Sequence, residues 1–310
     1  MNAAGNTSKP LVGIVIPNYN GTQVTCDCLG SFQNLDYPNF RIFLVENGSD
    51  DKPADFFRKK YPHVRVIESP INLGFAAGCN LGIKHALAED AEFILLLNND
   101  TIVAPDFLSK MLNTIKPDPH GKMVGPKIRY FEPNNRFWFA GGSYNLWQGI
   151  PDHIGEGEED RGQYNSPREV SFLTGCCILI SRALIEKIGL LREDLYMIAE
   201  DLDWCLKARR AGARLVYCPS AVIWHKESFT TQKVLGNPRQ LYLATRNLLL
   251  VHQAHARWYH NIAFYPWFAM RWMLYQSLKH LLRGKPLMLK ALCLAARDFL
   301  KGRAGLPPEI

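Results

Sequence analysis

The chain has 310 residues, 47 % hydrophobic and 21 % charged, with 8 cysteines. That is enough apolar content for one large or two small domains with a core, and it excludes a disordered, collagen-like or disulfide-stapled protein. The formal net charge is +7 and resides in the last 60 residues, where nine Lys or Arg face only Asp298 and Glu309. A neutral body with a basic tail argues against a nucleic-acid partner and for a surface that the tail alone meets.

Residues Met1 to Lys9 contain no apolar run of signal-peptide type, and the cysteines sit mostly inside apolar runs, as expected of buried thiols in a reducing cytoplasm. Cys26-x-Cys28 and Cys176-Cys177 lack the second ligand pair of a zinc site. From Leu11 to about Ile128, short apolar runs (11–17, 40–47, 64–69, 93–97) alternate with amphipathic ones (24–35, near 54–61, 74–89, 105–115). Strands alternating with helices make βαβ units and a mostly parallel sheet flanked by helices. The runs at 14–17 and 93–97 are apolar at successive positions, the mark of strands covered on both faces.

Residues 129–170, with Gly141-Gly142, Gly149, Pro151 and the acidic stretch 155–160, read as irregular loops and short strands. Then come a strand running into a helix (172–189), a helix from about Asp201 to Ala211 closed by Lys207, Arg209, Arg210 and Gly212, and an extended segment 214–225. Beyond Leu241 the chain reads helical, with eight aromatics between Trp258 and Tyr275. The longest uncharged stretch there, Trp258 to Met270, is 13 residues, shorter than the roughly 17–25 that a spanning helix needs.

The first, second and fourth strands end in Pro17-Asn18-Tyr19-Asn20, Glu46-Asn47-Gly48-Ser49-Asp50 and Asn98-Asn99-Asp100. In an open parallel sheet the carboxyl ends of strands border the ligand crevice, so these segments are expected in one cleft. Neither G-x-G-x-x-G nor a P-loop follows the first strand, which disfavours dinucleotide oxidoreductases and P-loop NTPases. Asn98-Asn99-Asp100 alone fits an ordinary turn, and Glu200-Asp201-Leu202-Asp203 alone fits a first helical turn acidic for dipole reasons.

Together, however, I-V-I-P-N-Y-N-G, V-E-N-G-S-D-D, N-L-G-F-A-A-G-C-N-L-G, L-L-N-N-D, F-L-T-G-C-C-I-L-I-S-R, E-D-L-D-W-C-L-K-A-R-R-A-G and I-W-H stand in an order that resembles family 2 glycosyltransferases of the GT-A fold, in the bacterial rhamnosyltransferase-like branch. The resemblance spans roughly Leu11 to His225. It implies an α/β fold of GT-A type, mostly parallel and flanked by helices, with a nucleotide-sugar-binding half (10–128) and an acceptor and catalytic-base half (129–240); the tail read above as helical (241–310) extends it at the C-terminus.

It further implies inverting transfer of a sugar, rhamnose among the candidates, from a nucleoside-diphosphate sugar to a glycan or polyprenyl-linked acceptor. A divalent cation, Mn²⁺ or Mg²⁺, would offset the charge of the leaving diphosphate. Asp100 stands where the family's Asp-x-Asp motif holds that ion, with Asn98 in place of the first carboxylate. His225 resembles a histidine that completes the metal shell in some relatives; a hydrogen-bonded strand-end histidine is the other reading, and an imidazole ligand would favour Mn²⁺. Asp201 occupies the general-base position, with Glu200, Asp203 and Trp204 beside it to orient loops or to contact acceptor hydroxyls. Pro17, Tyr19, Asn20, Glu46, Asn72, Gly74 and Asn99 fall on segments that bind the nucleotide sugar. The family usually has Asp where Glu46 stands, which bears on the base pose.

The aromatic, basic tail is expected to pack partly on the body and partly against anionic headgroups, which makes the enzyme peripheral on the inner face of the plasma membrane. Two other readings are a sugar-nucleotide nucleotidyltransferase, which would carry a cationic triphosphate loop where Pro17–Gly21 has no cation, and a non-catalytic, membrane-docked nucleotide-sugar-binding protein.

Overall fold

The computed structural model describes residues 9–115, 121–226, 237–306 and 308. Strands β1 (Val12–Asn18), β2 (Phe40–Asn47), β3 (Arg65–Ser69) and β4 (Phe93–Leu97) alternate with helices α1 (Thr22–Ser31), α2 (Ala54–Lys60) and α3 (Phe75–Ala88). β1 pairs in parallel with β2 and with β4, and β2 pairs in parallel with β3. Helices cover both faces of these strands, so Ile14, Val15, Leu44, Leu95 and Leu96 are all buried. Contact between α3 and the sheet is close: a Cβ at Gly82 would lie 2.4 Å from Val15 Cγ1.

The second half begins with β5 (Thr101–Val103), α4 (Phe107–Ile115) and β6 (Lys122–Tyr130), followed by four short strands: β7 (Phe137–Phe139), β8 (Gly142–Ser143), β9 (Asp152–His153) and β10 (Arg168–Val170). Next come β11 (Cys177–Ser181), α5 (Arg182–Ile188), α6 (Glu200–Arg210) and the long β12 (Arg214–His225). The main sheet runs β3-β2-β1-β4-β11-β6-β12-β10. β11 is antiparallel to both β4 and β6, whereas β12 is parallel to β6. Strands β1 to β4 are therefore parallel, and the sheet as a whole is mixed.

The C-terminal region is helical: α7 (Pro238–His255), α8 (Trp258–Phe268), a π-helical stretch (Ala269–Leu274), α9 (Tyr275–Leu282) and α10 (Pro286–Leu300). The expected boundary at 240/241 falls inside α7, most of which is buried. Among the described residues no helix is long and apolar enough to cross a membrane.

Candidate active site

Strand order reverses between β1 and β4, and ligands of open α/β sheets sit at such a switch. Asn18, at the end of β1 and fully buried, ties the surrounding segments together. Its Oδ1 accepts from Thr25 Oγ1 at 2.8 Å and from Asn99 Nδ2 at 3.0 Å. Its Nδ2 donates to Glu46 Oε2 and to Ser49 Oγ. Asn47 does the same for the next loop, accepting from Leu73 N at 3.1 Å and donating to the Gly74 carbonyl at 3.1 Å. Asn72 Oδ1 accepts from Gly74 N at 2.8 Å, and Gly74 opens α3 at φ +85°, a conformation suited to glycine.

Asp100 follows β4, and His225 ends β12. The β5–β12 register pairs Thr101 with His225, which brings His225 Nε2 to 3.1 Å from Asp100 Oδ1. That contact is too poorly aligned to be a hydrogen bond: among the described residues neither ring nitrogen of His225 has one, although the side chain is buried against Trp138, 4.5 Å between ring centroids. A buried imidazole with free nitrogens beside a carboxylate fits a hard or borderline divalent cation that takes its remaining ligands from phosphate and water. Among the described residues there is no group of three or more His, Cys, Asp or Glu side chains that could hold a metal.

Glu200 and Asp201 open α6, and their surroundings differ. Asp201 Oδ2 accepts from Gly175 N at 2.7 Å, and its Oδ1 accepts from Leu202 N at 2.8 Å. Gly175 permits this approach, since a Cβ there would lie 3.3 Å from Asp201 Cβ. Burial raises the Asp201 pKa, and the two backbone N–H groups oppose the rise. Burial and the Asp201 charge push Glu200 up to about 8, and Glu200 Oε2 has no hydrogen-bond partner among the described residues. Burial thus raises both carboxyls, and the neighbouring Asp201 charge raises Glu200 further. The preceding loop is strained, with Tyr196, Ile198 and Ala199 at φ 64°, 72° and 71°. Positive φ is an outlier for a β-branched residue and costs on the order of 1–3 kcal/mol per residue.

A cleft of about 490 Å³ brings the two halves together. It is lined by Pro17, Tyr19, Asn72, Asn99 and Asp100 from the first half and by Glu200 and Asp201 from the second. Other expected residues stand elsewhere. Glu46 is buried behind the cleft wall, accepting from Asn18 and from Ser49 N at 2.7 Å. Asn20 clasps Asp50 through hydrogen bonds of 2.9 and 2.8 Å.

Asp203 and Trp204 do not line the cleft, and of the two roles expected for this turn their contacts are those of residues that orient neighbouring segments. Asp203 pairs with His255 Nε2 and Lys207 Nζ, each at 2.8 Å. Burial would raise its pKa, but these two partners outweigh it and hold the group below the usual range. Trp204 is fully buried, its indole N–H donating to the Gly189 carbonyl at 2.9 Å. The cleft also has an apolar wall of Ile150, Phe172 and Met197, to which the C-terminal helical region adds Ala244, Leu248 and Trp272. His153 also lines it, and burial lowers its pKa to about 4. No periodicity marked His153 or the α7 wall in the sequence.

The fold matches solved GT-A glycosyltransferases. S. aureus TarS 1-349, solved with UDP-GlcNAc, aligns with TM-score 0.61 at 16 % identity over 94 % of this chain and 80 % of its own. Mannosyltransferase PcManGT from Pyrobaculum calidifontis, solved with GDP-Man and Mn²⁺, aligns with TM-score 0.57 at 18 % identity over 95 % of this chain and 88 % of its own.

The family profile "Glycosyl transferase family 2" matches residues 13–189, and the chain belongs to that family; it is a glycosyltransferase. The nucleotidyltransferase and non-catalytic readings are thereby set aside. The uncharacterized protein y4gI of Sinorhizobium fredii is 29 % identical over 231 residues, 71 % of this chain and 25 % of its own length, so the chain spans a quarter of that relative. The N-acetylglucosaminyl-diphospho-decaprenol L-rhamnosyltransferase of Mycobacterium tuberculosis is 26 % identical over 261 residues, 76 % of this chain and 80 % of its own. The dTDP-rhamnosyl transferase RfbF of Shigella flexneri is 24 % identical over 248 residues, 76 % of this chain and 78 % of its own. Within the family the chain thus falls beside the rhamnosyltransferase-like branch.

Proposed function

We propose that the enzyme transfers a sugar with inversion from a nucleoside-diphosphate sugar to a hydroxyl of a glycan or polyprenyl-linked glycan, in the synthesis of a bacterial surface polysaccharide. Rhamnosyltransferases among its relatives make rhamnose the first donor to try. The observation that carries the reading is the meeting of Asp100 and Asp201 on one cleft from opposite halves of the fold. Pro17 and Tyr19 pack on the base and ribose, Asn72 and Asn99 lie along the diphosphate, and Glu46 and Asn20 hold the base-binding loops in place.

Asp201, aimed by Gly175 N–H and Leu202 N–H, takes the proton of the acceptor hydroxyl as its oxygen bonds to the anomeric carbon and the bond to the diphosphate breaks. Glu200, which keeps its proton near neutral pH, donates a hydrogen bond to the acceptor. Asp100 and His225 would hold a divalent cation, Mn²⁺ or Mg²⁺, that neutralises the departing diphosphate.

The domain reading is a catalytic unit continuing into α7, followed by a membrane-docking part from α8 onwards. Trp258, Ile262, Met270, Leu274, Leu278 and Leu282 are exposed at spacings of four or eight residues, interleaved with the exposed Arg271 and Arg283 and the half-buried Lys279. An apolar helical stripe flanked by cations suits the anionic inner leaflet. A thermal-shift screen of UDP-, dTDP- and GDP-sugars with and without Mn²⁺ tests the catalytic reading. A ligand at a hundred times its Kd stabilises by about 2.7 kcal/mol, so one nucleotide class should raise Tm by several degrees only with the metal. No response to any pair, or a full response without metal, would contradict it.

A further inference from the structure

The strained loop ahead of Glu200 and Asp201 is gripped from the C-terminal region. Asn247, midway along α7 and fully buried, places Nδ2 at 2.8 Å from the carbonyl oxygens of Leu195, Met197 and Ile198. An amide offers two N–H donors, so at least one of the three bonds is shared. The orientation of the amide is settled by its other end, where Oδ1 accepts from Arg246 Nε at 3.0 Å and the nitrogen is left for the carbonyls. The same carbonyls belong to the segment containing Tyr196, Ile198 and Ala199 at positive φ.

We infer that Asn247 is a positioning residue: its amide holds 195–199 in the strained conformation that starts α6 with Glu200 and Asp201 facing the cleft. This inference rests on the catalytic reading of those two carboxyls. Three further contacts point the same way. Ala244 and Leu248, on either side of Asn247, line the cleft. His255, at the end of α7, reaches Asp203 on α6 at 2.8 Å. Across the loop, Ala76 N donates to the Tyr196 carbonyl at 3.2 Å. A loop strained at three positions relaxes when its outer grip is lost, and relaxation turns the α6 N-terminus away from the acceptor. Helix α7 therefore completes the active site, and the C-terminal region is more than an anchor.

The test replaces Asn247 with Leu, close in volume and without donors, and with Asp, close in shape and an acceptor facing three carbonyls. Amide hydrogen exchange over 196–203, turnover, donor KM and nucleoside-diphosphate affinity are measured on the full chain. In Asn247→Leu, exchange over 196–203 should accelerate at least tenfold while β1 and β4 stay protected. Turnover should drop at least tenfold with KM and nucleotide affinity within twofold, and Asn247→Asp should lose more. If the Leu variant does not fold, Asn247→Ser, which keeps one donor, should show the same pattern with a smaller loss.

Unchanged exchange over 196–203, or exchange that rises equally across the sheet, would overturn the role. The exchange measurement does not depend on which carboxyl is the base. Retained turnover in Asp201→Asn would instead count against the catalytic reading.

Discussion

At the scale of single residues, the adjacent carboxyls of Glu200 and Asp201 set the pH behaviour. Because burial and Asp201 raise the Glu200 pKa to about 8, the folded state binds a proton that the unfolded chain, with a carboxyl near its ordinary value, has released. Stability from this group is present below the unfolded pKa and is lost as pH rises through about 8. Glu200→Gln should remove that loss and be more stable than wild type at pH 8, on the order of 1–3 kcal/mol, as read by thermal melts from pH 5 to pH 9. Equal pH slopes in the two proteins would contradict the assignment. At the residues proposed to hold the cation, His225→Ala should shift the preference between Mn²⁺ and Mg²⁺ in donor binding, because an imidazole favours Mn²⁺. Much of this site was legible in the sequence, since Asp100 and Asp201 stand at a strand end and a helix start. Trp204 was not: four residues advance a helix by about 6 Å, which carries it from the cleft floor into the core.

At the scale of elements, the first half of the fold meets the loop before α6 where α3 begins. Gly74 sits at φ +85°, and a Cβ there would lie 2.5 Å from Tyr196 Cδ2 and 2.7 Å from the Tyr196 carbonyl oxygen. Gly74→Ala should therefore strain both α3 and the loop carrying Tyr196, costing about 2 kcal/mol or more. It should lower Tm and turnover together, and a variant with wild-type Tm would show that the two halves are not in contact there. The parallel strands β1 to β4 could be read from uninterrupted apolar runs, but β6 could not. It carries Pro126 in a central position, where a missing N–H argues against a strand. The fold accommodates it because β12 changes register between Cys218 and Val222, directly opposite Pro126. Pairing of this kind depends on a segment some ninety residues away, beyond the reach of local pattern.

At the scale of the whole molecule, exposed apolar side chains run from α8 to α9 and the excess cations are spread from Arg257 to Arg303, while α7 is largely buried against the body. Each Lys or Arg at an anionic surface contributes on the order of 1 kcal/mol. Reversing Arg271, Lys279 and Arg283 to Glu should therefore weaken co-sedimentation with phosphatidylglycerol vesicles by about a hundredfold or more. Wild-type binding should itself fall as salt rises, and equal binding to neutral vesicles would contradict the docking surface. The sequence located this basic aromatic region but set its border inside α7, because the burial that joins α7 to the body depends on tertiary contacts.

The division of labour across the cleft is tested most directly by measuring donor affinity and turnover side by side in Asp100→Ala and Asp201→Asn. Asp100→Ala should lose metal-dependent donor binding. Asp201→Asn should bind donor as wild type does and lose turnover by about 10²–10⁴-fold; near-normal turnover in Asp201→Asn, or unimpaired metal-dependent binding in Asp100→Ala, would contradict the account.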